Sequence, residues 1–477
     1  MKFRRSWSTL LVFALLASAC SDAPDTSNPQ EPDTDRSDTD LSDTGPDADE
    51  PDTDDTPDVD DEPDTDPPQT CQHDSCTEEG RTRCEVVDET ISCLCDEGRV
   101  EIDGECVESL CEAQGLSNPN VLSDTPGTYT DASYAIAALG STYAVVWADD
   151  RDAHGQEVDL YMGRFDHRGH KLGGDVALTD TPFHDVITPD ALAADEASFG
   201  LLRLEETADP DLRRLIFERF DDQGAPIGQA HTLSDGTFIE SPALIATDQG
   251  WLASWSEGSL SDASSWRHRL ASLSPDGELS TEVRTLNTHG PDSSPHMVWA
   301  DDHAAVVWRE AIDSTGSARE TYFQRFDAAA SPLDPSPRTI GASPSLEPRL
   351  LWTGDHYVIV SIASGRSLTL TTLDDEAEDV LVDTELTVTD TNIYHISAAW
   401  TGSSIALSWR DSDALVLQGF ALDGTSRHDP IMLEEGVMTS LPTLANLGGI
   451  SALSWGHFDD VGDRTNVETY LAIYCAY

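Results

Sequence analysis

Lysine is almost missing from this chain of 477 residues: it occurs only at Lys2 and Lys171. Lys and Arg together number 27 against 90 Asp and Glu, a formal net charge of −63. Such a surface repels phosphate backbones and anionic bilayers, so no nucleic-acid partner is expected. A compositional bias towards Asp and Arg is an equally good origin for this acidity. Long apolar runs are scarce too, and past the first 20 residues none approaches the roughly 20 that a membrane-spanning helix needs. The zinc-helix pattern HExxH, the nucleophile elbow GxSxG and a phosphate loop are all absent. No two carboxylates can be placed opposite each other from sequence. A non-enzyme without a cofactor is expected. His154, His167 and His170 fall in or near turns, where exposed histidines outnumber metal ligands, so the presence of a metal stays unknown.

What the chain does have is a repeat. From about residue 130 onward, a short apolar strand, a turn and a second strand recur seven times, as in SPHMVWADDHAAVVW and HISAAWTGSSIALSW. The second strands end at Trp147, Arg203, Trp255, Trp308, Ser361, Trp409 and Trp455. Pro189, Pro242, Pro295 and Pro348 open four of the copies at steps of 53 residues. Third strands follow, closing in acidic turns such as FDHRG and FDDQG, and fourth strands are visible in DVALTDTP and AHTLSDGT. Alternating apolar and polar residues bounded by Asp, Gly, Pro and Thr mark half-buried antiparallel strands. A four-stranded unit repeating every 50 residues or so cannot bury both faces until neighbours stack on it, which is the requirement of a β-propeller blade. The expected fold is therefore all-β, a seven-bladed β-propeller. The repeated Trp is expected to pack between blades.

The seventh copy stops after a third strand, YLAIYCAY. The segment NVLSDTPGTYT at residues 120–130 reads like the fourth strands and precedes the first copy, so it is expected to complete the last blade and close the ring. The nine cysteines fit this scheme. Cys20 ends an N-terminal apolar segment, six cysteines cluster between residues 71 and 106, and Cys111 and Cys475 are left over. Aligned on the repeat, Cys475 occupies the place of Asp166 at the end of a third strand, and Cys111 lies just before the borrowed fourth strand. A Cys111–Cys475 disulfide would replace the missing covalent turn; two free buried thiols are the alternative.

The first residues, MKFRRSWSTLLVFALLASAC, combine a basic start, an apolar stretch from Leu10 to Leu16 and small residues before Cys20. The segment resembles a bacterial lipoprotein signal, with Leu16 to Cys20 as its lipobox, although Ala17 stands where Leu is commonest. The resemblance implies cleavage before Cys20, acylation there, and the lipid bilayer as a partner. Ser21 favours the outer membrane, with the protein facing the exterior or, alternatively, the periplasm. A simple secretory signal cut nearby is the competing reading. If Cys20 is acylated, Cys20→Ser is expected to move the protein from the detergent phase to the aqueous phase without unfolding it. Equal partitioning of the two forms would end the lipoprotein assignment.

Between Ser21 and Thr70 the chain is nearly all Asp, Thr, Pro, Ser and Glu, with Arg36 its single basic residue. A disordered acidic linker is expected, because self-repelling carboxylates and frequent Pro favour an extended chain; at about 3 Å per residue it would reach about 150 Å. A calcium-binding tract is the weaker alternative, since no Gly-containing EF-hand loop is present. Residues 71 to 106 follow the spacing C-x4-C-x7-C-x8-C-x-C-x10-C. This resembles an EGF-like module, small enough to need crosslinks. The resemblance implies the pairs Cys71–Cys84, Cys76–Cys93 and Cys95–Cys106. The acidic lead-in of calcium-binding members is missing, and Arg99 replaces the usual aromatic. The expected domains are thus 1–19 signal peptide, 20–70 lipidated cysteine and linker, 71–111 EGF-like module and 112–477 propeller.

The blade text VVWADDRD, YMGRFDHRG and KLGGDVAL resembles secreted and surface lipoproteins of δ-proteobacteria-like bacteria, a resemblance that implies no activity. Three functional classes follow. The favoured one is a lipid-anchored surface module that presents the propeller to a protein or glycan. A structural component of an envelope complex comes second and an extracellular carbohydrate-active enzyme third. Several carboxylates with an Arg at the channel mouth would favour the enzyme, and a broad apolar patch on a blade edge would favour the envelope component.

Overall fold

The computed structural model describes Cys76, the segments 83–87, 90–94, 99–102 and 105–108, and most of 116–475 apart from short connections. Cys20, the linker, Cys71, Cys95 and Cys111 lie outside the described residues. So does any placement of the 20–70 tract.

In the cysteine-rich segment, Arg83–Val87 pairs with Thr90–Leu94, placing Cys84 opposite Cys93, and Arg99–Ile102 pairs with Glu105–Glu108. Cys76 and Cys93 form a disulfide, and Cys106 is also disulfide-bonded.

The remainder is a ring of antiparallel blades, and among the described residues every element is a strand. Blade one consists of Thr130–Leu139, Thr142–Asp149, Asp159–Asp166 and Val176–Ala177, from the innermost strand outward. Blades four, five and six repeat this order, with second strands His303–Ala311, His356–Ser364 and Ile405–Arg410. Blades two and three share one strand, His231–Thr247. Its first part is the outer strand beside Arg213–Phe220, and its second part is the innermost strand beside Gly250–Ser259. The changeover falls at Ser241, whose φ of 56° turns the backbone ahead of Pro242. Blade seven comprises Thr443–Leu447, Ile450–Phe458 and Val467–Cys475, and its fourth strand is Asn120–Val121. The seven-bladed propeller is therefore closed by its own N-terminal strand.

Strand periodicity explains how the blades stack. In blade four, Ala304, Val306 and Trp308 pack on Leu252 and Leu270 of blade three, whereas the intervening Ala305 and Val307 pack on Leu350 and Ile359 of blade five. Blade seven repeats the arrangement: Leu453 and Trp455 meet Leu415 and Leu417 of blade six, and Ala452 faces Val145 and Trp147 of blade one. Each Trp thus fills the interface with the preceding blade, and all five are at most 1% exposed. The fit is tight. A Cβ added at Gly200 would come within 2.8 Å of the Trp251 ring. Gly200→Ala is expected to destabilise the fold by about 1–3 kcal/mol through overpacking; an unchanged denaturation midpoint would show that the ring yields freely.

The acidic turns are structural. Oδ1 of Asp166 accepts the backbone N–H groups of Arg168 and His170, both at 2.8 Å, and Asp221 and Asp327 cap their turns in the same way. Part of the chain's negative charge therefore serves to fix hairpins.

Blade two departs from the pattern. At its Trp position stands Arg203, 5% exposed, which donates to Asp185 at 2.8 Å, to Glu205 at 3.4 Å and to both oxygens of Glu218 at 3.2 Å. Arg214 completes the cluster by donating to Glu205 at 2.6 Å. Burial pushes the Asp185 carboxyl up to about 6 despite the nearby guanidinium. At Ser361, the other exception, the hydroxyl lies 3.0 Å from that of Thr369.

Candidate functional site

Innermost strands line the channel, and the prolines opening them suit that place. Pro has no N–H, and an innermost strand has no partner on its channel side. Pro189, Pro242, Pro348 and Pro442 rim a cavity of about 200 Å³ at one mouth. The residues directly after Pro189, Pro295 and Pro348 are Asp190, His296 and Arg349, and they converge there although they come from blades two, four and five. Arg349 Nη1 donates to Asp190 Oδ2 at 2.7 Å and Nε donates to the Ile396 carbonyl at 3.1 Å. Blades two and five are three steps apart, the greatest separation a seven-membered ring allows, so this ion pair crosses the bore. Below it lies a second cavity of about 120 Å³ that shares the same three side chains.

His296 is fixed on both sides. Its Nδ1 accepts the Leu350 N–H at 3.2 Å, so the proton of the neutral ring sits on Nε2, 3.6 Å from Asp190 Oδ1. Burial pushes its pKa down to about 4 against the pull of Asp190, with Arg349 adding to the fall. Burial alone would raise the Asp190 carboxyl, but the Arg349 charge and the hydrogen bond from Arg349 hold it below the ordinary carboxylate value. At neutral pH the cluster is thus one carboxylate, one guanidinium and one neutral imidazole.

This arrangement constrains the chemistry. Ser241 also lines the mouth, and Ser, His and Asp together would suggest a nucleophile triad. However, His296 has no lone pair left for a Ser241 proton, because Nδ1 is taken by Leu350 and Nε2 carries the hydrogen. Among the described lining residues Asp190 is the one carboxylate, whereas hydrolysis by acid and base carboxylates needs two. What the site presents is a cluster of one carboxylate, one guanidinium and one imidazole beneath a rim of prolines.

The positions singled out from sequence do not gather here. His170 is exposed and lies 3.3 Å from its own turn residue Asp166, and His154 is outside the described residues. No group of three or more His, Cys, Asp or Glu side chains suited to a metal occurs among the described residues. Cys475 is disulfide-bonded and 2% exposed at the end of the third strand of blade seven. The channel triplet escaped the sequence reading, yet a signal existed: each of the three directly follows one of the Pro residues that recur every 53 positions at the openings of the blades.

No protein-family model matches the chain, and no curated protein matches it. Among solved structures, it is similar to the β-propeller domain of the Trilobed protease from Pyrococcus furiosus, described as having an open velcro topology. That match has 9% identity and a TM-score of 0.43, and covers 72% of this chain and 94% of that one. The Dos1 propeller matches at 12% identity and a TM-score of 0.39, over 74% and 94% of the respective chains. The Pyrococcus horikoshii acylaminoacyl peptidase matches at 10% identity and a TM-score of 0.43, over 72% of this chain but only 51% of its own.

Proposed function

We propose that the protein is a recognition module: a lipid-anchored propeller that binds a protein or glycan at the channel mouth, held away from the outer membrane by its acidic linker. The observation that carries this reading is the Asp190–Arg349 pair fixed across the bore beneath a proline rim. The cavity is smaller than the roughly 300–1,000 Å³ of ordinary small-molecule pockets, so it suits the tip of a larger ligand: one side chain or one terminal sugar. The ion pair and the neutral imidazole supply oriented donors and acceptors without needing to reorganise, which favours specificity. The single carboxylate and the occupied nitrogens of His296 favour binding over hydrolysis.

Glycan and peptide arrays probed with the full chain test this reading. The double variant Asp190→Asn/Arg349→Gln removes both charges, the first change isosteric and the second keeping a polar amide on a shorter side chain. It is expected to weaken any array-identified ligand at least tenfold while the thermal midpoint moves little. Undiminished binding by the variant, or no binding by the parent chain on either array, would remove the mouth from consideration.

A further inference from the structure

The outer edge of blade five differs from those of its neighbours. Outer strands Val176–Ala177, Arg284–Thr285, Arg338–Thr339 and Asn120–Val121 contain two residues each and Ile431–Glu435 of blade six contains five, whereas Val380–Thr387 contains eight; the outer part of His231–Thr247 in blade two is also long, but two register shifts interrupt its pairing. From Val382 to Thr387 it pairs with the third strand without a register shift, opposite Thr372 back to Ser367. Among the described residues nothing pairs with its other side. A strand of this length leaves alternate N–H and C=O groups pointing outward, a template for another chain.

The usual protections are missing here. The strand has neither Lys nor Pro, and its two carboxylates fold back onto their own blade: Asp383 accepts from Thr371 at 3.2 Å and Glu385 accepts from Ser367. Thr384 and Leu386 sit against the Gly424 turn of blade six. Val380 and Leu381 remain 49% and 50% exposed.

Charge selects the occupant. Residues 374–387 contain seven Asp or Glu and no Lys, Arg or His. Arg325 of blade four reaches only the adjoining turn, at the Asp375 carbonyl and Glu376, and Arg338 reaches the Ala377 carbonyl. A second copy would bring the same acids edge to edge, and like charges placed opposite are destabilising. The acidic tract 21–70 of this chain, with Arg36 alone against its many Asp residues, would be repelled as well. We propose that the outer strand of blade five is a docking edge for an extended basic segment of a partner protein, which adds to the sheet as a fifth strand. The surface is separate from the channel mouth and does not depend on the reading given for it.

The probe is a labelled octapeptide alternating Lys with Val, compared with the same peptide carrying a central Pro and with a Glu–Val counterpart. Binding to the full chain is read by fluorescence anisotropy, and amide hydrogen exchange is followed over residues 380–387. The Lys–Val peptide is expected to bind at least tenfold more tightly than either control and to slow exchange in that strand. Val380→Lys/Leu381→Lys, at two half-exposed positions where folding is not at stake, is expected to weaken it at least tenfold. Equal binding of the Pro-containing peptide, or binding without added protection of residues 380–387, would overturn the proposal by reducing it to general charge attraction. Sedimentation showing the chain dimerising through this strand in the absence of peptide would overturn it in favour of a second copy.

Discussion

Arg203→Ala is expected to destabilise the propeller by about 3–5 kcal/mol, because it leaves Asp185, Glu205 and Glu218 facing one another without their shared cation. Asp185 is fully buried and Glu205 is 6% exposed, so water cannot replace the guanidinium. Arg203→Trp, which restores the repeat, is expected to fail for the same reason. Only joint neutralisation of the acids would make room for an indole. The loss should also depend on pH, with a defined sign. In the parent protein the Asp185 pKa lies at about 6, above its ordinary 3.8, so between those values the folded state holds more protons than the unfolded one. Stability from this group is therefore greatest below pH 3.8 and falls as pH rises through 6. Without Arg203 the carboxyl should rise further, so the deficit of the variant should be largest near pH 8 and shrink towards pH 5. Chemical denaturation at the two pH values decides it, and a deficit independent of pH would show that lost packing, rather than unpaired charge, dominates.

Cutting the covalent closure should have an effect of similar size. The strand Asn120–Val121 pairs with only two residues of blade seven, Leu471 and Tyr470. A few contacts add to this hold: Ser117 N–H donates to Ile473 O at 2.8 Å, Asn120 Nδ2 donates to Gly169 O at 3.0 Å, and Lys171 donates to Leu122 O at 2.5 Å. So short a ladder resists opening far better with its ends joined. Cys475 is disulfide-bonded; Cys111, the partner expected from the repeat alignment, lies outside the described residues. If the two are joined, the loop enclosed is so long that chain entropy alone would contribute on the order of 5 kcal/mol as an upper figure. Cys111→Ser is expected to lose much of that while the Cys76–Cys93 bond persists. Peptide mapping without reduction should recover one fragment containing both Cys111 and Cys475. Recovery of Cys111 joined to a cysteine between 71 and 106 would overturn this closure.

The blade count and its closure were legible because they rest on local patterns. Trp147, Trp255, Trp308, Trp409 and Trp455 each stand near the end of a short, almost continuously apolar strand, and such a run fits a strand that buries both faces between neighbours. Even the exceptions, Arg203 and Ser361, were located correctly from the repeat, since register carries through a changed side chain. Their partners were not legible. Asp185 and Glu218 reach Arg203 from strands on either side of its own, and nothing local marks a carboxylate as facing inward. The shared strand of blades two and three was equally hidden, because Ser241 reads as an ordinary turn residue.

The sequence by itself determined the architecture: a strand period of two, a repeat of some 50 residues and an incomplete last copy leave the chain little choice but a ring of seven closed by its own beginning. Only the tertiary structure decided what the ring encloses. Asp190 and Arg349 are 159 residues apart and meet because seven blades of this width bring blade two across the bore from blade five at hydrogen-bonding distance. That distance depends on the radius and closure of the whole ring, which no local segment encodes. The long exposed edge of blade five is likewise a property of the neighbours that stop short of covering it, and becomes visible only once all the outer strands are placed side by side.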